Sequence, residues 1–257
     1  MLLLDRVLHG IHFKVSWFAD ASIKENGIIT YRQAHYEGKR AIPFDTLVND
    51  LTLEPEDIKS CFAKNCKYEV NRAERENVAY RILHGTEITD EDIDVFLDFF
   101  KKFWETKDIQ FDDEDELRRD FRLYRDMDVL VLSIGSVEGE DAIYHTYVHD
   151  EKRARLWHSA SLYRLLNDEE GDSRKIIGMG NRYLHYRDML FFKERGLTEY
   201  DWGGAGKTED VASITKFKEA FGGVPETDYE FEEVHGILAH MFKFLVNVLD
   251  DVMYKMV

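Results

Sequence analysis

The sequence is poor in several residues that build common protein classes. Its 257 residues include two cysteines, Cys61 and Cys66, and three prolines, Pro43, Pro55 and Pro225. Two cysteines make neither a disulfide framework nor, alone, a zinc site. Lying in a helix-like stretch, they read as reduced core thiols. Three prolines are too few for a Pro-rich linker. No apolar run approaches the roughly 20 residues of a membrane span. The start, MLLLDRVLHG, sets Asp5 and Arg6 directly after a short apolar run, unlike a secretory signal. A soluble, cytoplasmic protein is therefore expected. The histidines form no HxH or HExxH pair, so no metal is expected. Positive charge is scarce too: Lys plus Arg is 34 against 51 Asp plus Glu, a net −17. That balance disfavours non-specific binding to DNA or to an anionic membrane surface. No solenoid-length repeat or low-complexity block interrupts the chain.

What is present is an ordinary core composition, 44% apolar and 13% aromatic, with legible periodicity. FKVSWF (13–18) and IITYRQ (28–33) read as strands, with Asn26-Gly27 as the turn signal between them. Residues 41–51 read as a strand or extended segment. From Pro55 the pattern turns helical: Ile58, Phe62, Cys66 and Val70 recur every four residues, and Glu56 and Asp57 suit a first turn. VAYRIL (78–83) is a short strand. Helices are predicted over 90–105 and 113–126, the acidic run 112–116 being a solvated helix start. Segments 129–134, 142–148 and 153–160 form a predicted antiparallel meander. A loop carries DEEGD (168–172), and a helix is expected from about Gly178 to Arg195. A strand at 199–202, a helix at 208–221 and an extended segment at 227–233 follow. The chain ends in an amphipathic helix whose apolar face carries Ile237, Leu238, Met241, Phe244, Leu245, Val248, Leu249, Val252 and Met253. That face is expected to close the core, with a homodimer interface as the alternative. A meander feeding a strand–helix–strand unit implies an α/β fold, a mixed, largely antiparallel central sheet flanked by helices.

The segment RKIIGMGNRYLHY (174–186) places Gly178 and Gly180 where a helix is expected to begin after a strand. Glycine there lets a backbone approach an anion, and unpaired helix N–H groups point at it. The stretch 174–218 holds nine basic residues against six acidic ones, a +3 island in an acidic chain. That fits a phosphate-bearing ligand. The alternative is close helix–strand packing. No GK[ST] closes the segment as in a Walker loop, and the third glycine of the dinucleotide fingerprint is missing.

The KxxGxG of Lys175, Gly178 and Gly180 resembles the pyrophosphate loop of the GNAT acyltransferase superfamily, with Lys in place of the usual Arg or Gln. LTEYDWGG (197–204), FKEAFGG (217–223) and the early helix NCKYEVNRAERENV (65–78) resemble the FemABX-like, or acetyltransferase 6, branch. The resemblance covers roughly 44–232. It implies a single GNAT-like domain over 1–257, with a reduced N-terminal part (1–50), a core (51–232) and a C-terminal helix (233–257).

The resemblance also implies roles. Arg174, Lys175, Gly178, Met179, Gly180, Asn181 and Arg182 would hold the pyrophosphate of acyl-CoA. The strand 155–161 would splay from its neighbour and offer a backbone N–H to the thioester carbonyl. Trp157, Ser159, Tyr186 and Phe217 would line the substrate site. Lys218, matching the Lys of FKxxFGG, would neutralise a phosphate or stabilise an oxyanion. His158 and His145 are candidate bases. Asp201 is either a base or a cap for the glycine turn. Strand alternation puts Trp157 and His158 on opposite faces. The implied activity is N-acyl transfer from acyl-CoA to the primary amine of a small acceptor, such as a free or nucleotide-linked amino sugar of a surface polysaccharide. Two alternatives stand beside it: aminoacyl-tRNA-dependent transfer of the FemX kind in cell-wall peptide synthesis, and a non-catalytic GNAT-like binding protein.

Overall fold

A computed structural model describes the chain except residues 77, 107–113, 165–170, 207–208 and 255–257. The strands are β1 (Leu2–Leu8), β2 (Ile11–Trp17), β3 (Gly27–Ala34), β4 (Ile42–Asp50), β5 (Ala79–His84), β6 (Leu130–Val137), β7 (Glu140–His149), β8 (Arg153–Ser161), β9 (Glu199–Gly204) and β10 (Val224–His235). The helices are α1 (Pro55–Ser60), α2 (Lys64–Arg75), α3 (Asp90–Glu105), α4 (Glu114–Asp126), α5 (Gly171–Glu194), α6 (Glu209–Glu219) and α7 (Ile237–Tyr254). The chain divides into two compact units, Leu47–Val224 and Met1–Thr46 with Pro225–Val257.

In the larger unit the strand order is β4-β9-β8-β7-β6-β5. The predicted meander is present: β5 to β8 pair antiparallel in succession, and β8 pairs parallel with β9. On β7, Ile143, His145 and Tyr147 face α5, because period-two alternation places them on one side. Tyr144 and Thr146 face the α3 side. Phe96 and Phe121 stack at 5.2 Å, and Phe121 stacks on Trp157 at 5.2 Å, so α3 and α4 seal that face with aromatic rings. Thr89 caps α3, accepting from Asp92 N at 3.1 Å while Asp92 Oδ2 accepts from Thr89 N at 2.8 Å. The predicted helix 113–126 is observed from Glu114; residues 107–113 before it lie outside the described residues, as does part of the 168–172 loop.

The start of α5 corrects the sequence reading. The helix opens at Gly171, so Gly178 and Gly180 lie well inside it and their amides belong to its hydrogen-bond ladder, not to an open N-terminus. Glycine inside a helix costs about 1 kcal/mol relative to alanine. At Gly180 the reason is packing, since a Cβ would stand 3.0 Å from Ile143 Cδ1 on β7.

In the smaller unit the order is β1-β2-β3-β10. Here Asn26-Gly27 does not join a hairpin, because β2 and β3 run parallel. The hairpin is β1–β2, turned by His9 (φ 51°) and Gly10 (φ 78°), a two-residue turn with both φ values positive. Helix α7 also differs from expectation. It packs through Ala239 and Phe242, the latter edge-on to Phe13 at 5.5 Å. Ile237, Leu238, Met241, Phe244 and Leu245, of the stripe expected to close the core, are 57–80% exposed. Among the described residues, no helix is long and apolar enough to cross a membrane.

Candidate active site

The pairing of β8 with β9 covers only Arg153–Arg155 against Glu199–Asp201. Beyond it β8 runs on to Ser161 beside β7, while β9 runs on through Trp202 to Gly204. Gly203 sits at the fork with φ +64°, and a Cβ there would lie 2.7 Å from Leu156 O, so only glycine fits. Asp201 Oδ1 accepts from Gly203 N at 2.7 Å, and Asp201 Oδ2 lies 3.4 Å from Arg153 Nη1. Asp201 therefore caps the glycine turn, the second of its two expected roles.

The fork opens into a cavity of about 430 Å³. Leu156, Ser159 and Ser161 of β8 form one wall, Asn181, Arg182 and His185 of α5 another, and Phe217 and Lys218 of α6 a third. Lys218 Nζ donates to Gly204 O at 2.6 Å. Burial pulls its ammonium down to about 8, against the pull of Asp201. The strand Ser159, the α5 residues Gly178, Asn181 and Arg182, and Phe217 and Lys218 of FKEAFGG are thus brought together, although they lie far apart in sequence. A second groove of about 570 Å³ adjoins the cavity, sharing Tyr163, Gly178 and Arg182, and Arg72, Arg174, Lys175 and Met179 also line it. Arg182 pairs with Glu69 at 3.1 Å and lies over the Phe217 ring at 4.8 Å, which orients it between the two spaces.

Other expected residues stand elsewhere. Trp157 and His158 do not take opposite faces. A β-bulge opposite Thr146 and Tyr147 makes Trp157 the extra residue, and both rings turn to the α3–α4 side, 4.8 Å apart. His158 lies against Phe100 at 4.8 Å with Nδ1 2.8 Å from Thr146 Oγ1. Burial pushes its imidazole down to about 3, with Arg155 adding to the effect, so it is neutral at physiological pH. Neither ring lines the cavity. Tyr186 also points away: its hydroxyl donates to Pro55 O at 3.2 Å and its ring meets Phe62 edge-on.

His145 is near the cavity but behind its wall. It is fully buried, with Nδ1 2.7 Å from Asp188 Oδ2 and Nε2 2.8 Å from Asn181 Oδ1. The network continues to residues the sequence reading missed. Tyr147 donates its hydroxyl to Asp188 Oδ2 at 2.6 Å, the hydroxyls of Tyr147 and Tyr200 are 2.9 Å apart, and Tyr200 Oη is 2.8 Å from His185 Nδ1. His185 stacks on His145 with centroids 3.8 Å apart. His145, His185 and Asp188 bring three donor atoms within 4.8 Å of one another. Both His145 nitrogens and His185 Nδ1 are committed to hydrogen bonds, so the cluster is a hydrogen-bond network. The available signals were His185 and Asp188 three apart on one helix and His145 and Tyr147 two apart on one strand, each pair sharing a face.

No protein-family model and no curated protein matches the sequence. Solved structures do. FemX superposes with a TM-score of 0.58 at 12% identity, over 79% of this chain and 63% of its own. The fold is GNAT-like. The C-terminal domain of a protein assigned as a lysylphosphatidylglycerol synthetase, from Agrobacterium fabrum, gives 0.52 at 13% identity over 96% of this chain and 85% of that one. A conserved protein of unknown function from Bacteroides thetaiotaomicron gives 0.51 at 13% identity over 75% and 61%. This chain thus spans less than two thirds of FemX, and at these identities the likeness establishes the fold. The GNAT/FemABX-like architecture expected from the FKEAFGG and KxxGxG segments is the one observed.

Proposed function

We propose that this chain is an N-acyltransferase that moves an acyl group from acyl-CoA to the primary amine of a small acceptor. The observation that carries the reading is the fork between β8 and β9, with its cavity and adjoining basic groove. Past Arg155 the edge of β8 facing the fork is released from β9, so a backbone N–H there can donate to a carbonyl lodged in the opening. Such a donor stabilises the oxyanion as the amine attacks, a contribution worth about 3–4 kcal/mol where single donors are removed. Lys218 adds a buried positive charge at the same wall, with one N–H group beyond its bonds to Gly203 O and Gly204 O. The walls hold donor and amine together, which supplies the positioning part of the rate. Arg174, Lys175 and Arg182 would take the anionic pyrophosphate through side chains, since the α5 amides are spent within the helix. An amino sugar is the acceptor class the sequence resemblance suggests, and a cytoplasmic role in envelope synthesis would follow from it. No metal enters this scheme.

Titration calorimetry with acetyl-CoA and longer acyl-CoAs tests the reading. Micromolar binding, abolished in Ser159→Trp with an unchanged melting temperature, supports it. Absence of binding by every chain length removes it.

The basic groove also favours a second reading, transfer from aminoacyl-tRNA, in which Arg72, Arg174, Lys175 and Arg182 would meet the acceptor-stem phosphates. It requires a tRNA gel shift that weakens steeply with salt.

A further inference from the structure

We propose that His185 is the proton acceptor of the site, its Nε2 left bare toward the cavity by a buried chain of hydrogen bonds that ends on Asp188. The inference rests on the acyl-transfer reading for its chemistry, but the orientation of the ring follows from counting protons.

Each phenol has one hydrogen to give. Tyr147 spends its hydrogen on Asp188 Oδ2. Its oxygen can then only accept, so in the 2.9 Å contact Tyr200 is the donor. With the Tyr200 hydrogen spent, its oxygen must accept from His185, and Nδ1 of His185 carries the proton. A neutral imidazole protonated on Nδ1 has a free lone pair on Nε2. Burial, with the adjacent His145 and the cations Lys218 and Arg182, holds the His185 imidazole well below its usual value, which keeps it neutral. Burial likewise holds Tyr147 and Tyr200 well above theirs, so both remain phenols. Nδ1 is the nitrogen turned inward, and His185 is a lining residue of the cavity.

A base desolvated this strongly is weak alone. The chain supplies what it lacks. As the amine nitrogen bonds to the acyl carbon, its proton passes to Nε2. The Nδ1 proton can then move to Tyr200, the Tyr200 proton to Tyr147, and the Tyr147 proton to Asp188. His185 ends neutral on its other tautomer, and the proton sits on a carboxylate instead of as a buried imidazolium. Asp188 Oδ1 has no hydrogen-bond partner among the described residues, which leaves an acceptor position open on that carboxylate. When the carbon–sulfur bond breaks, the electron pair leaves on the thiolate, the chain runs backward, and Nε2 returns the proton to sulfur. Amide and free thiol are the products. His185 is the catalytic residue in this scheme; Tyr200, Tyr147, Asp188 and His145 are positioning residues.

Long-range proton–nitrogen correlation spectra of the labelled protein at pH 7 give the first test. The expected result is His185 protonated on Nδ1, switching toward Nε2 in Tyr200→Phe; an Nε2-protonated His185 in the wild type overturns the proposal. The second readout is thiol release from acetyl-CoA with glucosamine as probe amine. His185→Gln is expected to lower turnover about 100-fold or more, with acetyl-CoA affinity within about threefold. Tyr200→Phe is expected to lower turnover about 10-fold and to alter the acid limb of the pH profile. Unchanged turnover in His185→Gln with intact donor binding overturns the base assignment. Loss of acetyl-CoA binding in the wild type instead overturns the acyl-CoA reading, and the tautomer still decides the relay.

Discussion

The two faces of the β7–β8 ribbon carry histidines of opposite character. Toward α3 and α4, His158 sits among Phe96, Phe100, Phe121 and Trp157, with Thr146 its one described polar partner. Toward α5, His145 and His185 sit among Asp188, Asn181, Tyr147 and Tyr200. Both faces are dry. The first holds a neutral imidazole by desolvation, with Arg155 adding to it, and gives it no titratable hydrogen-bond partner. The second surrounds its imidazoles with groups that can pass a proton, and its far end reaches a cavity. Burial by itself silences a histidine, and burial with an ordered acceptor chain makes it usable.

If the aromatic face supplies stability and the polar face supplies chemistry, breaking each should have different consequences. The largest stability loss is expected from Phe121→Ala, about 3–5 kcal/mol, read as a fall in the urea midpoint, because the ring is fully buried between Phe96 and Trp157. Asp188→Asn replaces an acceptor of two donors with an amide and should cost about 1–3 kcal/mol, while turnover falls far more than that loss explains.

His158 gives a pH-resolved comparison. Its folded value of about 3 lies below the usual 6.5, so between these limits the unfolded chain binds more protons. Stability contributed by the neutral ring is complete above pH 6.5 and is lost as pH falls toward 3, by at most about 1.4 kcal/mol per unit. His158→Phe should flatten that part of the profile in urea titrations at pH 7 and 4.5, with catalysis within twofold. A catalytic loss of tenfold or more would return His158 to the site.

Lys218 shows the reverse trade. Its folded value of about 8 lies below 10.5, so stability rises with pH between 8 and 10.5 and the buried ammonium is a burden below 8. Lys218→Met should raise the melting temperature at pH 7 while lowering turnover about 10-fold or more. The smallest effect is expected outside this unit: Phe244→Lys on the exposed stripe of α7 should change stability by less than about 0.5 kcal/mol. A larger loss would mean that face is covered in solution, as the dimer alternative requires.

These contrasts also mark what the sequence could convey. Periodic elements were legible, because Ile93, Phe96, Leu97 and Phe100 repeat as a helix and 142–148 reads as a strand set between turn candidates. The cavity residues Phe217 and Lys218 were legible through a short segment with a recognisable resemblance. Four features were not. The Trp157 bulge inverts the parity that alternation assumes. Gly178 and Gly180 suggest a helix start, yet α5 tolerates them inside because Gly180 lets it lie close to Ile143. The relay draws on β7, α5 and β9, so no local pattern announces it. In α7 a strong apolar stripe was expected inward, and the packing is made instead by Ala239 and Phe242 on the other side.

The central claim is that the fork between β8 and β9 receives an activated acyl group. Amide hydrogen exchange with and without acetyl-CoA tests it most directly. The account predicts new protection concentrated on the released β8 segment, residues 156–161, with a smaller effect at 202–204. Protection confined to other strands, or none at saturating donor, would contradict it.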